Sequence, residues 1–186
     1  MDCLLELLNN TFFGTLLAGS LLAWLGLILY RRQKAIDIKY EDLRKIRELA
    51  ALLFAEIEIA SRKYEGQLNI YNGKNSQLSK IYEVFNDKFE DRFKKDFDNE
   101  FNIMCSKISV ATDNLIARLK IDGKYESDIK ILTEKIPPLN FFLLGSTVLH
   151  LSKPDQVDEY GKSFNEILVP IEETLQKIIK INHDQL

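Results

Sequence analysis

The residues of this chain with chemical potential are few: two histidines, two cysteines and a scatter of acids. His150 follows Thr147 by three positions and Ser146 by four, a spacing that brings side chains onto one face of a helix and would set an imidazole base beside a hydroxyl. No partner carboxylate or oxyanion loop accompanies them in the sequence, and the surrounding "LNFFLLGSTVLHL", residues 139 to 151, is apolar. His150 therefore reads as a core histidine, and His183 belongs to the C-terminal tail.

Metal binding needs His, Cys, Asp or Glu at ligand spacing, and no H-E-x-x-H, C-x-x-C or paired E-x-x-H occurs. The stretch "DKFEDRFKKDFDNE", residues 87 to 100, carries six acids against four bases. It lacks the D-x-D-x-D-G order and closing Glu of a calcium loop, so it reads as an interleaved, solvated helix face. P-loop and G-x-G-x-x-G fingerprints are absent as well. The expectation is a protein that is not an enzyme, with no catalytic residues, no metal and no cofactor; no ligand-binding residue can be named.

The elements that must carry any other function are clearer. "TFFGTLLAGSLLAWLGLILYRRQK", residues 11 to 34, begins with twenty uncharged residues, Thr11 to Tyr30. As a helix rising about 1.5 Å per residue they cover roughly 30 Å, the thickness of a bilayer's hydrocarbon core. Ten of the twenty are Leu, Ile or Phe, so insertion is expected to be favourable. A cleavable signal peptide would open on basic residues and close on a small-residue cleavage site. Here Asp2 and Glu6 precede the apolar run, Arg31, Arg32 and Lys34 follow it, and no A-x-A pattern ends it. The segment reads as a retained, single-pass transmembrane helix rather than a leader or a soluble core helix.

Lys and Arg beside a span stay on the cytoplasmic side, so Arg31, Arg32 and Lys34 put the N-terminus outside a plasma (inner) membrane and the body in the cytoplasm. The expected organisation is a short N-terminal segment, 1–10, outside or at the interface, then the span 11–30, a basic juxtamembrane collar 31–39 and a cytoplasmic helical domain 40–186. Within the span, Thr15, Gly19, Ala23 and Gly26 are separated by four, four and three residues and fall within about 80° of one another on a helix. Such a small-residue stripe permits close approach of a second helix, so it is the expected face of self-association.

Two acids before the span and a collar of net +3 leave residues 40–186 with −4 of the total charge of −3. Phosphate grooves need clustered Lys and Arg without a matching load of acid, so no nucleic-acid partner is expected. Cys3 and Cys105 lie on opposite sides of the membrane in this topology, which leaves Cys105 as a buried thiol rather than half of a disulfide.

The body reads as helices. Leu43, Ile46, Leu49, Ala50, Leu53, Ile57, Ala60, Tyr64, Leu68 and Tyr71 keep a three-and-four spacing, and no Gly or Pro stands between Tyr30 and Tyr40, so this helix can continue directly from the span. Asn72-Gly73 should stop it. A second helix is expected from near Gln77, with Phe85, Phe89, Phe93, Phe97 and Phe101 four apart. Each step of four drifts about 40°, so these rings cannot share one straight stripe, and the helix either bends near residues 96 to 100 or meets different neighbours along its length. Its pattern runs on through Met104, Ile108, Ala111, Leu115 and Leu119 to the turn Asp122-Gly123. Tyr125 to Ile136 reads as a short helix stopped by Pro137-Pro138, and 139 to 151 as a separate buried helix or a membrane-dipping segment. Val157, Tyr160, Phe164, Ile167, Ile171, Leu175 and Ile178 hold their phase through Pro170, which predicts one kinked helix.

The fold class is therefore all-α, a transmembrane helix followed by an antiparallel bundle. The expected function is a single-pass, membrane-anchored binding or scaffold protein, such as an accessory subunit of a complex, whose partners are the lipid bilayer and a second copy of itself through the transmembrane helix, another membrane protein, or both. Exposed aromatics such as Tyr40, Tyr71 or Tyr82 are candidate contacts. The alternative is a homo-oligomeric effector whose cytoplasmic domain senses a ligand or partner and rearranges the transmembrane helices.

Overall fold

The computed structural model describes the backbone of residues 11–72, 88–144 and 154–181, and the side chains of 14–66, 99–121, 123–144 and 159–181. Regular structure among the described residues is entirely helical, with four helices and no strand: α1 (Thr11–Asn72), α2 (Lys88–Asp122), α3 (Glu126–Leu144) and α4 (Pro154–Ile179). The chain divides into two units, Met1–Arg44 and Lys45–Leu186.

In the first unit the described chain is the N-terminal part of α1, and it has no core. Every residue from Thr15 to Glu41 is exposed except the half-buried Ile28. Burial begins at Leu43.

The second unit has one continuous core, and amphipathic stripes explain which residues enter it. Ile46, Ala50, Leu53, Ile57, Ala60 and Tyr64 repeat at four and three residues along α1 and are all buried, while Leu49 packs at the margin. From α2 come Phe101, Met104, Cys105, Ile108, Ala111, Leu115 and Leu119. The helix runs unbroken through residues 96 to 100. Of the five phenylalanines only Phe101 has a described side chain, and it is buried. The expected start near Gln77 lies outside the described residues, as does Gly73, whereas Asn72 ends α1 as expected.

α2 ends at Asp122, and Gly123 follows with a φ of 63°, the left-handed conformation that glycine adopts without a side-chain clash. Three residues then connect to α3, a length that forces antiparallel neighbours. Contacts bear this out: Cys105, at the middle of α2 and about seventeen residues before its end, meets Asn140, about fourteen residues after the start of α3. Between α3 and α4 the same reversal holds, with Asp128 joined to Lys177 at one end and Phe142 against Phe164 at the other. Late α1 meets early α4 through Tyr64 and Phe164, stacked at 4.4 Å, and early α2 through the ion pair of Lys63 with Glu100.

Pro137 and Pro138 do not stop a helix. α3 runs through both, which corrects the expectation of a short helix ending at Ile136 and a separate one from residue 139. Leu132, Ile136, Leu139 and Leu143 are buried at spacings of four, three and four, so the stripe keeps its phase across the prolines. An interior proline costs about 3 kcal/mol relative to alanine. Ending the helix would release Leu139 and Leu143, each contributing roughly 1.5–3 kcal/mol by burial, so the two effects are of one size. The carbonyls deprived of donors belong to Thr133 and Glu134, exposed residues whose backbone water can reach, and this favours continuation. Nor is the start of the 139–151 segment apolar-buried all round, since Phe141 is 72% exposed. Residues 145 to 151 lie outside the described set.

α4 is one helix through Pro170, as its phase predicts. Phe164, Leu168, Ile171, Leu175 and Ile178 form its buried stripe, with Ile167 at the margin.

Candidate functional site

Among the described residues one helix is long and apolar enough to cross a membrane, and none of its apolar window is buried. Leu16, Leu17, Leu21, Leu22, Trp24, Leu27 and Leu29 are all about half exposed or more and spread over roughly 240° of α1, the remaining sector holding the small, uncharged Thr15, Gly19, Ala23 and Gly26. A soluble core helix buries its apolar residues, and a surface helix confines them to one stripe. α1 does neither here: the backbone satisfies its own hydrogen bonds while its uncharged side chains face outward all round, which is the requirement for a helix whose solvent is hydrocarbon. Ser20 fits the same requirement, since its Oγ donates to the Leu17 carbonyl at 2.9 Å.

Thr15, Gly19, Ala23 and Gly26 all stand on this exposed stretch. A Cβ added at Gly19 or at Gly26 would meet nothing within 4 Å. Immediately after the apolar stretch, Arg31, Arg32 and Lys34 are exposed, as is Tyr30 at 65%. Of the candidate contact aromatics Tyr40 is exposed; the side chains of Tyr71 and Tyr82 lie outside the described residues.

His150, Ser146, Thr147, His183 and Cys3 lie outside the described residues. Cys105 is buried, its Sγ 3.7 Å from the Asn140 carbonyl, and burial pushes the thiol up to about 11, away from the thiolate form that reacts. Among the described residues no group of three His, Cys, Asp or Glu stands close enough to hold a metal ion.

Polar groups inside the second unit are a finding of the structure. Asp128 is buried in the first turn of α3 and accepts both its bonds from Lys177 of α4. It shares a face with Leu132 and Ile136, four and eight residues on, and an acid in line with a core stripe was the one signal in the sequence for it. Asn140 Nδ2 donates to Ser109 Oγ at 3.0 Å between α3 and α2. The Tyr64 hydroxyl is buried with no hydrogen-bond partner, and desolvation, with Tyr160 nearby, pushes its pKa up to about 12. Glu172 of α4 is raised by partial burial first and then by Glu58 and Glu65 of α1. Asp128 with Lys177 and Asn140 with Ser109 tie helices together, whereas the Tyr64 hydroxyl has no partner and the Glu172 carboxylate is opposed by those of Glu58 and Glu65.

No known family matches this chain, and no curated protein or solved structure is similar to it.

Proposed function

We propose that the protein is a single-pass membrane protein, with residues 11–30 in the bilayer, Arg31, Arg32 and Lys34 at the cytoplasmic edge, and the helical unit presented in the cytoplasm as a binding or scaffold domain for another membrane protein. The observation that carries this reading is the exposure of an uncharged stretch of α1 on all sides from Thr15 to Leu27, ended by an exposed basic collar. Exposed apolar surface on this scale needs a cover, and a bilayer covers all sides of one helix at once. The net charge of −4 on residues 40–186 disfavours nucleic acid as that unit's partner.

The test uses cysteines already present. An alkaline carbonate wash of membranes separates integral from peripheral protein, and release into the wash would overturn the anchor. A membrane-impermeant maleimide added to intact cells is expected to label Cys3 in a Cys105→Ala background. Labelling only after permeabilisation would reverse the orientation.

A second reading, assembly of an effector through Thr15, Gly19, Ala23 and Gly26, rests on their spacing of four, four and three, which puts four small residues on one exposed face of α1. Gly19→Leu with Gly26→Leu should abolish association and leave insertion intact. Native mass spectrometry of the gently extracted chain decides between the two readings, by copies of itself or by a different subunit.

A further inference from the structure

The structure leaves the charge of the basic collar without a partner in the protein among the described residues: Arg31, Arg32, Lys34 and Lys39 are all exposed, and no ion pair engages any of the four. The only acid between Arg31 and Lys39 is Asp37. Along a helix Arg31 to Lys34 occupies about 4.5 Å, whereas Glu41 and Asp42 lie about 15 Å beyond Arg31. The Debye length at physiological salt is about 8 Å, so a charge at the edge of the span feels the three nearest bases and is largely screened from those two acids. Asp37 stands roughly 120° around the helix from Arg31 but only about 60° from Lys34, three residues before it, so it offsets part of the charge of Lys34 and leaves Arg31 and Arg32 unopposed. The site directly below the exposed Leu29 and Tyr30 therefore carries a net positive charge, is open, and adjoins the apolar surface of the same helix.

We propose that Arg31, Arg32 and Lys34, supported by the long side chain of Lys39, bind the phosphates of anionic glycerophospholipid headgroups and concentrate those lipids around the span. The inference rests on the membrane reading above. The guanidinium forks of Arg31 and Arg32 match phosphate oxygens in geometry as well as charge, and Lys39 can extend its stem back toward the interface.

Trp24 makes this measurable. It is the only tryptophan in the chain, is 62% exposed, and stands seven residues before Arg31, about 10 Å into the leaflet that the collar faces. The full chain is reconstituted into phosphatidylcholine vesicles containing a minority of phosphatidylglycerol, with bromine on the acyl chains of one lipid or the other, and quenching of Trp24 is read. Brominated phosphatidylcholine should quench it; absence of quenching by either lipid overturns the membrane reading itself. Brominated phosphatidylglycerol should quench at least about twofold more than its mole fraction predicts, because basic residues near an anionic surface draw such lipids to them. Quenching in proportion to mole fraction overturns the lipid preference and leaves the anchor standing. The excess should vanish in the Arg31→Gln, Arg32→Gln, Lys34→Gln, Lys39→Gln variant and shrink without vanishing in Arg31→Lys, Arg32→Lys, which keeps the charge and loses the fork. An excess that survives removal of all four charges overturns the assignment to the collar.

Discussion

Lys177 Nζ lies 2.7 Å from one carboxylate oxygen of Asp128 and 3.0 Å from the other, so a single ammonium on α4 satisfies a carboxylate buried at the start of α3. The two ends of the pair differ: the Asp128 side chain is 5% exposed and that of Lys177 is 60% exposed. Asp128 also sits in the first turn of its helix, where the free backbone amides favour a negative charge.

That asymmetry gives the first prediction. Lys177→Met strands a buried carboxylate and should cost about 1–3 kcal/mol, while Asp128→Asn leaves only a lysine that water can solvate and should cost less. Chemical denaturation of the two single variants and the double variant in detergent checks this. Equal costs, with simple additivity, would show that the pair does not couple α3 to α4.

Tyr64 should behave oppositely under two substitutions. Tyr64→Phe removes a buried hydroxyl that has no partner and keeps the ring stacked on Phe164, so stability should be unchanged or rise by up to about 1 kcal/mol. Tyr64→Ala empties a core site and should cost about 3–5 kcal/mol. A clear loss for the phenylalanine variant in thermal unfolding would mean that the hydroxyl is satisfied after all.

Glu172 predicts a pH dependence with a definite sign. Its folded pKa is raised by desolvation and by Glu58 and Glu65, so between the ordinary glutamate value and the raised one the folded state binds more protons than the unfolded state. Stability from this group is present at acid pH and is lost as pH rises through that window. Glu172→Gln should therefore raise the melting temperature at neutral pH and bring no gain once the pH falls below the ordinary carboxyl range. A gain that is the same at both pH values would assign the effect to something other than ionisation.

Pro137 and Pro138 supply a test of helix continuity. If α3 passes through both, replacing them with alanine restores two backbone donors within one helix and should stabilise the protein by a few kcal/mol at most, less the added freedom of the unfolded chain. Destabilisation would show that the proline pair shapes a kink on which the packing of Leu139 and Leu143 depends.

Much of this architecture was legible because helices announce themselves locally. Uncharged length marks residues 11–30 without any knowledge of the fold, the three-and-four spacing of Ile46 to Tyr64 marks the core face of α1, and a phase unbroken through Pro170 marks α4 as one helix. Each is a property of neighbours along the chain. Pro137-Pro138 was read as a stop because local rules weigh the lost donors, whereas the burial of Leu139 and Leu143 against other helices weighs on the other side and exists only after packing.

What the sequence by itself determined is therefore the helical class, the apolar stretch with its basic end, and most of the core stripes, all encoded in spacing and charge over a few turns. The tertiary structure decided which helices are neighbours, that Asp128 finds Lys177 forty-nine residues away, that Tyr64 stacks on Phe164, and that Glu172 faces the carboxylates of Glu58 and Glu65. The reason is physical: a stripe says that a face must be covered, but many partners can cover it, and only the simultaneous packing of all the stripes selects one set of neighbours.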